Sequence, residues 1–135
     1  LIEYSKKIFK NNVTKIICIS SICGVESIDG APIGYSIAKS ALNFYIKLIS
    51  KELANKNITI NGVVPGNIIF KGSTWDLKIK KNYMKTKKYI KNNVPINNFG
   101  TPNDIFEVCK MISENRSKFI TGSLFKIDGG QTKGF

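Results

Sequence analysis

Histidine is missing altogether from the 135 residues, and arginine occurs once, as Arg116. Without His, the commonest general base and a leading zinc ligand are gone, so proton chemistry falls to Tyr, Lys, Asp, Glu or Cys and no metal site is expected. Cysteine is scarce too: Cys18, Cys23 and Cys109 are an odd set with no CxxC pair. That pattern supports neither a disulfide framework nor a metal clip, and Cys18, inside an apolar run, reads as a buried reduced thiol. Long hydrophobic runs are lacking. Ile16 to Ile19 and Ile60 to Pro65 stop far short of the ~20 residues that span a bilayer, so no membrane partner is expected. Leu1-Ile2-Glu3-Tyr4 has neither the basic start nor the small-residue cleavage site of a signal peptide, which makes the cytoplasm the expected location.

Acidic residues are few, nine against 21 basic ones, giving a net charge of +12. The excess is almost all Lys and comes with abundant Asn and Ile, as an A+T-rich coding sequence would produce. Specific recognition of bases leans on the bidentate guanidinium fork, which this chain nearly lacks, so no specific nucleic-acid partner is expected.

What is present is an alternation of helix and strand. Leu1, Tyr4, Ile8 and Phe9 follow helical spacing up to Asn12. Lys15 to Ser20 is a short apolar run of the kind a buried parallel strand shows, and Ser21 to Gly34 is a loop punctuated by Gly24, Gly30, Pro32 and Gly34. Tyr35 to Leu53 is an amphipathic helix in which Ala38, Ser40 and Ala41 would let another backbone come close. Ile58 to Val64 is a second buried strand, stopped by Pro65-Gly66. Lys71 to Lys91 is Lys-rich with weak periodicity, one or two mobile helices on a solvated face. Thr101 caps a helix through Met111 with Pro102 in its first position, and Ser123 to Asp128 is a third strand closed by Gly129-Gly130. This is the βα alternation of a parallel α/β sheet, beginning on a helix and with few strands for a whole domain. The 135 residues read as one partial domain.

Tyr35 and Lys39 stand four residues apart, which on a helix puts phenol and ammonium on one face. A free phenol has a pKa of ~10, and a nearby positive charge favours its ionised form. Proton transfer works best near the operating pH, so Tyr with Lys one turn on is a plausible acid/base device. Five tyrosines in so Lys-rich a chain supply roughly one YxxxK match by chance, and a second, Tyr83 with Lys87, is indeed there. Context separates them. Tyr35 follows a strand ending in Ser20-Ser21, opens an amphipathic helix and precedes a strand ending in Pro65-Gly66.

With Ser21 14 residues before Tyr35, the run resembles the short-chain dehydrogenase/reductase family. Ile60 to Ile68, Phe99-Gly100-Thr101-Pro102, Ile120-Thr121-Gly122 and Ile127-Asp128-Gly129-Gly130 resemble further segments of that family, in its order. The resemblance implies the C-terminal half of a doubly wound, Rossmann-like parallel sheet whose N-terminal nucleotide-binding half is absent. It implies hydride transfer between NAD or NADP and an alcohol or carbonyl carbon of a small-molecule substrate. Tyr35 would be the acid/base, Ser21 would hydrogen-bond the reacting oxygen, and Lys39 would support Tyr35 and bind the nicotinamide ribose. Pro65, Gly66 and the backbone near Ile68 would meet the nicotinamide. The segment Lys71 to Lys91 corresponds to a lid over the substrate, which makes Trp75, Tyr83 and Met84 candidate contacts. Copies would associate through the helices at Leu1–Asn12 and Tyr35–Leu53. The chain departs from the family in having no GxGxxG turn, and in Phe70 where a hydrogen-bonding Thr often stands. Two other readings remain: a non-catalytic truncated remnant serving as an assembly partner, and a basic binding module.

Overall fold

The computed structural model describes residues 14–134; the expected helix at Leu1–Asn12 lies outside them. Three strands, β1 (Thr14–Ile19), β2 (Ile58–Pro65) and β3 (Leu124–Ile127), form a parallel sheet in the order β1-β2-β3. Between β1 and β2 runs the long helix α1 (Ile33–Leu53). Between β2 and β3 come α2 (Thr74–Lys81), α3 (Tyr83–Asn93) and α4 (Pro102–Glu114).

The central strand explains itself. Ile58 through Val64 are all buried, as a strand covered on both faces must be. Its polar Asn61 is tolerated because its amide donates to Ile120 O at 3.0 Å and accepts from Ser123 N at 3.1 Å. β1 pairs with β2 alone among the described residues; its Thr14 to Cys18 are half-buried and Ile19 is exposed. Cys18 is accordingly a half-buried thiol rather than a buried one, and burial still pushes its pKa up.

Side-chain parity shows the two layers. Ile16, Cys18, Ile58 and Ile60 face α1, where Leu42, Ile46, Ile49 and Leu53 complete the core. Their odd-even neighbours face α4: Lys15 Nζ donates to Ile112 O at 3.0 Å across the opposite face. Helices therefore cover both sides of the sheet. Ile46 and Leu53 are fully buried, and truncating either to Ala would cost about 2–5 kcal/mol.

Local chemistry shifts several boundaries. α1 begins at Ile33, two residues before the expected Tyr35, because Pro32 (φ −63°, ψ 132°) takes the cap position and accepts Ser36 N–H at 3.0 Å. Gly34, read as loop, sits in the first turn. The expected loop after Ser21 contains a short 3-10 turn, Ile22–Gly24, capped by the Ser21 side chain. The Lys-rich segment resolves into two helices because Asn82 ends α2 and its side chain caps α3, accepting from Lys85 N at 2.9 Å. α4 has the expected Thr101 cap, with Asp104 reciprocating as a capping box, and continues to Glu114 rather than Met111. The β-bridge Ile68↔Gly100 draws the two ends of the α2–α3 excursion together.

Candidate active site

Ser21, Tyr35, Lys39, Pro65, Gly66 and Ile68 all border one cavity of about 980 Å³. It opens beyond the C-terminal ends of β1 and β2, the end at which parallel sheets collect ligands. Ser21 leaves β1 and is 7% exposed. Its oxygen accepts from Cys23 N at 3.2 Å, and its hydroxyl proton has no acceptor among the described residues. Tyr35, 45% exposed, stands in the first turn of α1 with its ring in the cavity wall.

Lys39 sits one turn further along. Its ammonium donates to Ile19 O at 2.9 Å and lies 5.6 Å from the centre of the Tyr35 ring. Gly24 sets this geometry: a Cβ there would fall 2.5 Å from the Lys39 carbonyl carbon. The loop after β1 thus presses on α1 at the turn carrying the lysine. Gly24 O holds the contact by accepting from Ser40 Oγ at 3.1 Å and Asn43 Nδ2 at 3.0 Å. The close backbone approach expected at the small-residue patch is made here, while Ala38 and Ala41 stay exposed.

The loop after β2 is packed as tightly. A Cβ on Gly66 would lie 2.7 Å from Asp128 Cα, so only glycine fits. Gly66 N donates to Ile127 O at 2.9 Å, Gly100 N to Asn67 O at 3.0 Å and Ile69 N to Gly100 O at 2.8 Å. These bonds bracket Ile68 and leave its own N–H and C=O without partners among the described residues.

α2 and α3 cover the cavity. Trp75, Lys78 and Tyr89 line it; Tyr83 and Met84 do not, and Tyr83 with Lys87 lies on the outer surface. Trp75 packs against Tyr89 and Phe99 at ring separations of 5.2 and 5.5 Å, with the Lys78 ammonium 4.3 Å from its ring centre. Burial pushes the Tyr89 hydroxyl up, opposed by a hydrogen bond from Gln131 and reinforced by Asp29 and Cys23. Asn67 and Tyr89 fall inside segments that the resemblance marks but were given no role there, and Gln131 lies just past Gly129-Gly130, where no motif points to it. Among the described residues, no cluster of His, Cys, Asp or Glu is placed to hold a metal ion.

Comparison with known proteins gives a consistent answer. Residues 1–132 match the family model described as enoyl-(acyl carrier protein) reductase. The chain is 31% identical over 128 residues to the 3-oxoacyl-[acyl-carrier-protein] reductase FabG of Rickettsia felis, covering 95% of this chain and 50% of that protein. It superposes on 4-hydroxyisoleucine dehydrogenase complexed with NADH with a TM-score of 0.80 and 28% identity, covering 99% of this chain and 52% of the other. A NADPH-bound short chain oxidoreductase from Pseudomonas aeruginosa PAO1 shares the fold, with a TM-score of 0.83 at 17% identity over 99% of this chain and 51% of the other. The chain spans about half the length of the curated relatives it matches, and its sheet is correspondingly a partial Rossmann-like one.

Proposed function

Since the chain belongs to the short-chain dehydrogenase/reductase family, we propose that its residues form the catalytic half of an NAD- or NADP-dependent oxidoreductase acting on an alcohol or carbonyl carbon. The observation carrying this reading is that Ser21, Tyr35 and Lys39, from two different elements, meet at one cavity.

The nicotinamide end of such a cofactor suits the residues present. Ile68 offers an N–H and a C=O that are unpaired among the described residues, at the cavity, the complement of a carboxamide. Gly66 keeps the neighbouring backbone free of side chain, and Lys39 supplies a donor for ribose hydroxyls. Phe70 lines the cavity but offers no hydrogen bond there. When bound, the cofactor supplies or accepts the hydride. No glycine-rich turn leading into a helix is present for the pyrophosphate, so full affinity calls for a further segment that provides one.

The chain's own groups manage the oxygen. The Ser21 hydroxyl donates to the substrate oxygen and holds it beside Tyr35. Tyr35 gives that oxygen its proton in reduction and removes it in oxidation. The Lys39 cation stabilises negative charge on the phenol oxygen while its bond to Ile19 O fixes its place. α2 and α3 shed water from the cavity.

A second copy of the chain is the further partner. Ile37, Ala41, Phe44 and Leu48 repeat at helical steps along α1 and are all exposed, an apolar stripe at the helix through which the family resemblance implies association. None of the described helices is long and apolar enough to cross a membrane.

The deciding experiment is single-turnover hydride transfer by the protein carrying this chain together with a pyrophosphate-binding segment. Loss of transfer in Tyr35→Phe with cofactor still bound is the expected result. Calorimetry on the 135 residues alone is expected to give no micromolar binding of NADH or NADPH; tight binding would overturn the cofactor placement.

A further inference from the structure

The loop after β2 and the helical cover over the cavity are joined through the turn that follows β3. Asn67, 8% exposed, donates from Nδ2 to Gln131 Oε1 at 2.6 Å. Gln131 Nε2 in turn donates to the Tyr89 hydroxyl on α3 at 3.5 Å. One amide thus spans the loop that carries Ile68 and the helix that carries a wall of the cavity.

Gln131 is held rigidly enough to do this. The Asp128 carboxylate accepts from Gly130 N at 3.0 Å, Thr132 N at 2.9 Å and Thr132 Oγ1 at 2.7 Å, and Asp128 O accepts from Gln131 N at 3.2 Å. Gly129 (φ +63°) and Gly130 (φ +83°) are left-handed, so the turn suits glycine at both places. The same turn grips the end of α3: Ile96 N donates to Gly129 O at 3.2 Å, and a Cβ on Gly129 would lie 2.8 Å from Val94 Cγ1.

We propose that Gln131 is a positioning residue that couples the Asn67–Ile68 loop to the seating of α2 and α3, so that occupation of the loop tightens the cover and the cover in turn favours occupation. The coupling rests on the reading that the loop receives the nicotinamide. Thermodynamic linkage requires it to be mutual: whatever factor the bound cofactor adds to closure, closure returns to cofactor affinity. One neutral hydrogen bond sets the scale at about two- to tenfold.

Trp75 makes this measurable without an activity assay. It is the chain's single tryptophan and stacks on Tyr89, so acrylamide quenching of its emission reports how well the cover is seated. Without cofactor, Gln131→Leu removes both amide bonds at nearly constant volume and should raise the quenching constant about twofold or more. Tyr89→Phe should act in the same direction and less, and Gln131→Glu, which keeps an acceptor for Asn67, should restore much of the protection. With NADH or NADPH bound to the complete enzyme, in which any tryptophan outside these 135 residues is replaced by phenylalanine, the wild type should become better protected, while Gln131→Leu should gain no protection and bind cofactor about two- to tenfold more weakly. Substrate KM should rise in that variant more than single-turnover kcat falls. Far-ultraviolet circular dichroism confirms that each variant is folded. Equal quenching of folded wild type and Gln131→Leu, with or without cofactor, would overturn the coupling. If no nicotinamide cofactor binds the wild type, the site reading fails separately, and the cofactor-free comparison still decides whether Gln131 seats the cover.

Discussion

The Lys39 ammonium donates to the carbonyl of Ile19, 20 residues earlier, at 2.9 Å. That bond ties the first turns of α1 to the end of β1, and with the Gly24 contacts it holds Tyr35 and Ser21 in one frame. Removing the cation at constant bulk, as in Lys39→Met, should therefore lower both cofactor affinity and rate. Isotherms and stopped-flow transients for the variant would reveal which is lost, and intact values for both would remove Lys39 from the site.

Tyr35→Phe deletes one oxygen and leaves the ring packed. General acid/base groups contribute about 10²–10⁴-fold, and single-turnover transfer should fall by at least that range. Tyr83→Phe, on the outer surface beside Lys87, should change the rate several-fold at most. The reverse ranking would exchange the two YxxxK pairs.

Gly24→Ala would force a methyl group into the α1 backbone at Lys39. The expected cost is about 1–3 kcal/mol of stability, typical of overpacking, together with lost activity, because the displaced turn carries Lys39. Urea unfolding compared with turnover would test it; an active variant of wild-type stability would mean the contact is soft.

Acid should loosen the turn after β3. Partial burial pushes the Asp128 carboxyl up, but hydrogen bonds from Thr132 Oγ1, Thr132 N and Gly130 N outweigh it and hold the pKa below the ordinary 3.8. A carboxyl depressed on folding stabilises the native state above its unfolded pKa, and that contribution is lost as pH falls through the folded value. Thermal unfolding followed from pH 6 downward should show a steeper acid decline in wild type than in Asp128→Asn. Parallel declines would show that this carboxylate contributes nothing.

Phe44→Glu puts a charge into the exposed stripe of α1, 65% exposed at that residue. Sedimentation should show a shift toward the monomer with the circular dichroism spectrum unchanged. An unaltered assembly state would locate the interface elsewhere.

That Ser21, Tyr35, Lys39 and Pro65-Gly66 would come to one cavity was legible because their placement is local. Tyr35 and Lys39 share a helix face by spacing alone, and Ser21 and Pro65-Gly66 mark strand ends whose register a parallel sheet imposes. Strand burial was less so: Lys15 to Ser20 reads as interior, yet β1 has a neighbour on one side only among the described residues. The start of α1 was misplaced because Gly34 signals loop, while Pro32 supplies the cap through its fixed φ. Gln131, Asn67 and Tyr89 could not be paired in advance, since their contacts join residues 42 and 64 positions apart.

The clasp between Ile68 and Gly100 bears on how such a protein changes over generations. It pins both ends of the intervening 31 residues at one point of the scaffold. Lengthening or shortening the exposed parts of that insert adds little closure entropy. Trp75, Lys78 and Tyr89 all fall within the insert, whereas Ser21, Tyr35 and Lys39 lie outside it. The part of the cavity wall built by the insert can thus change over generations while Ser21, Tyr35 and Lys39 keep their places on the scaffold.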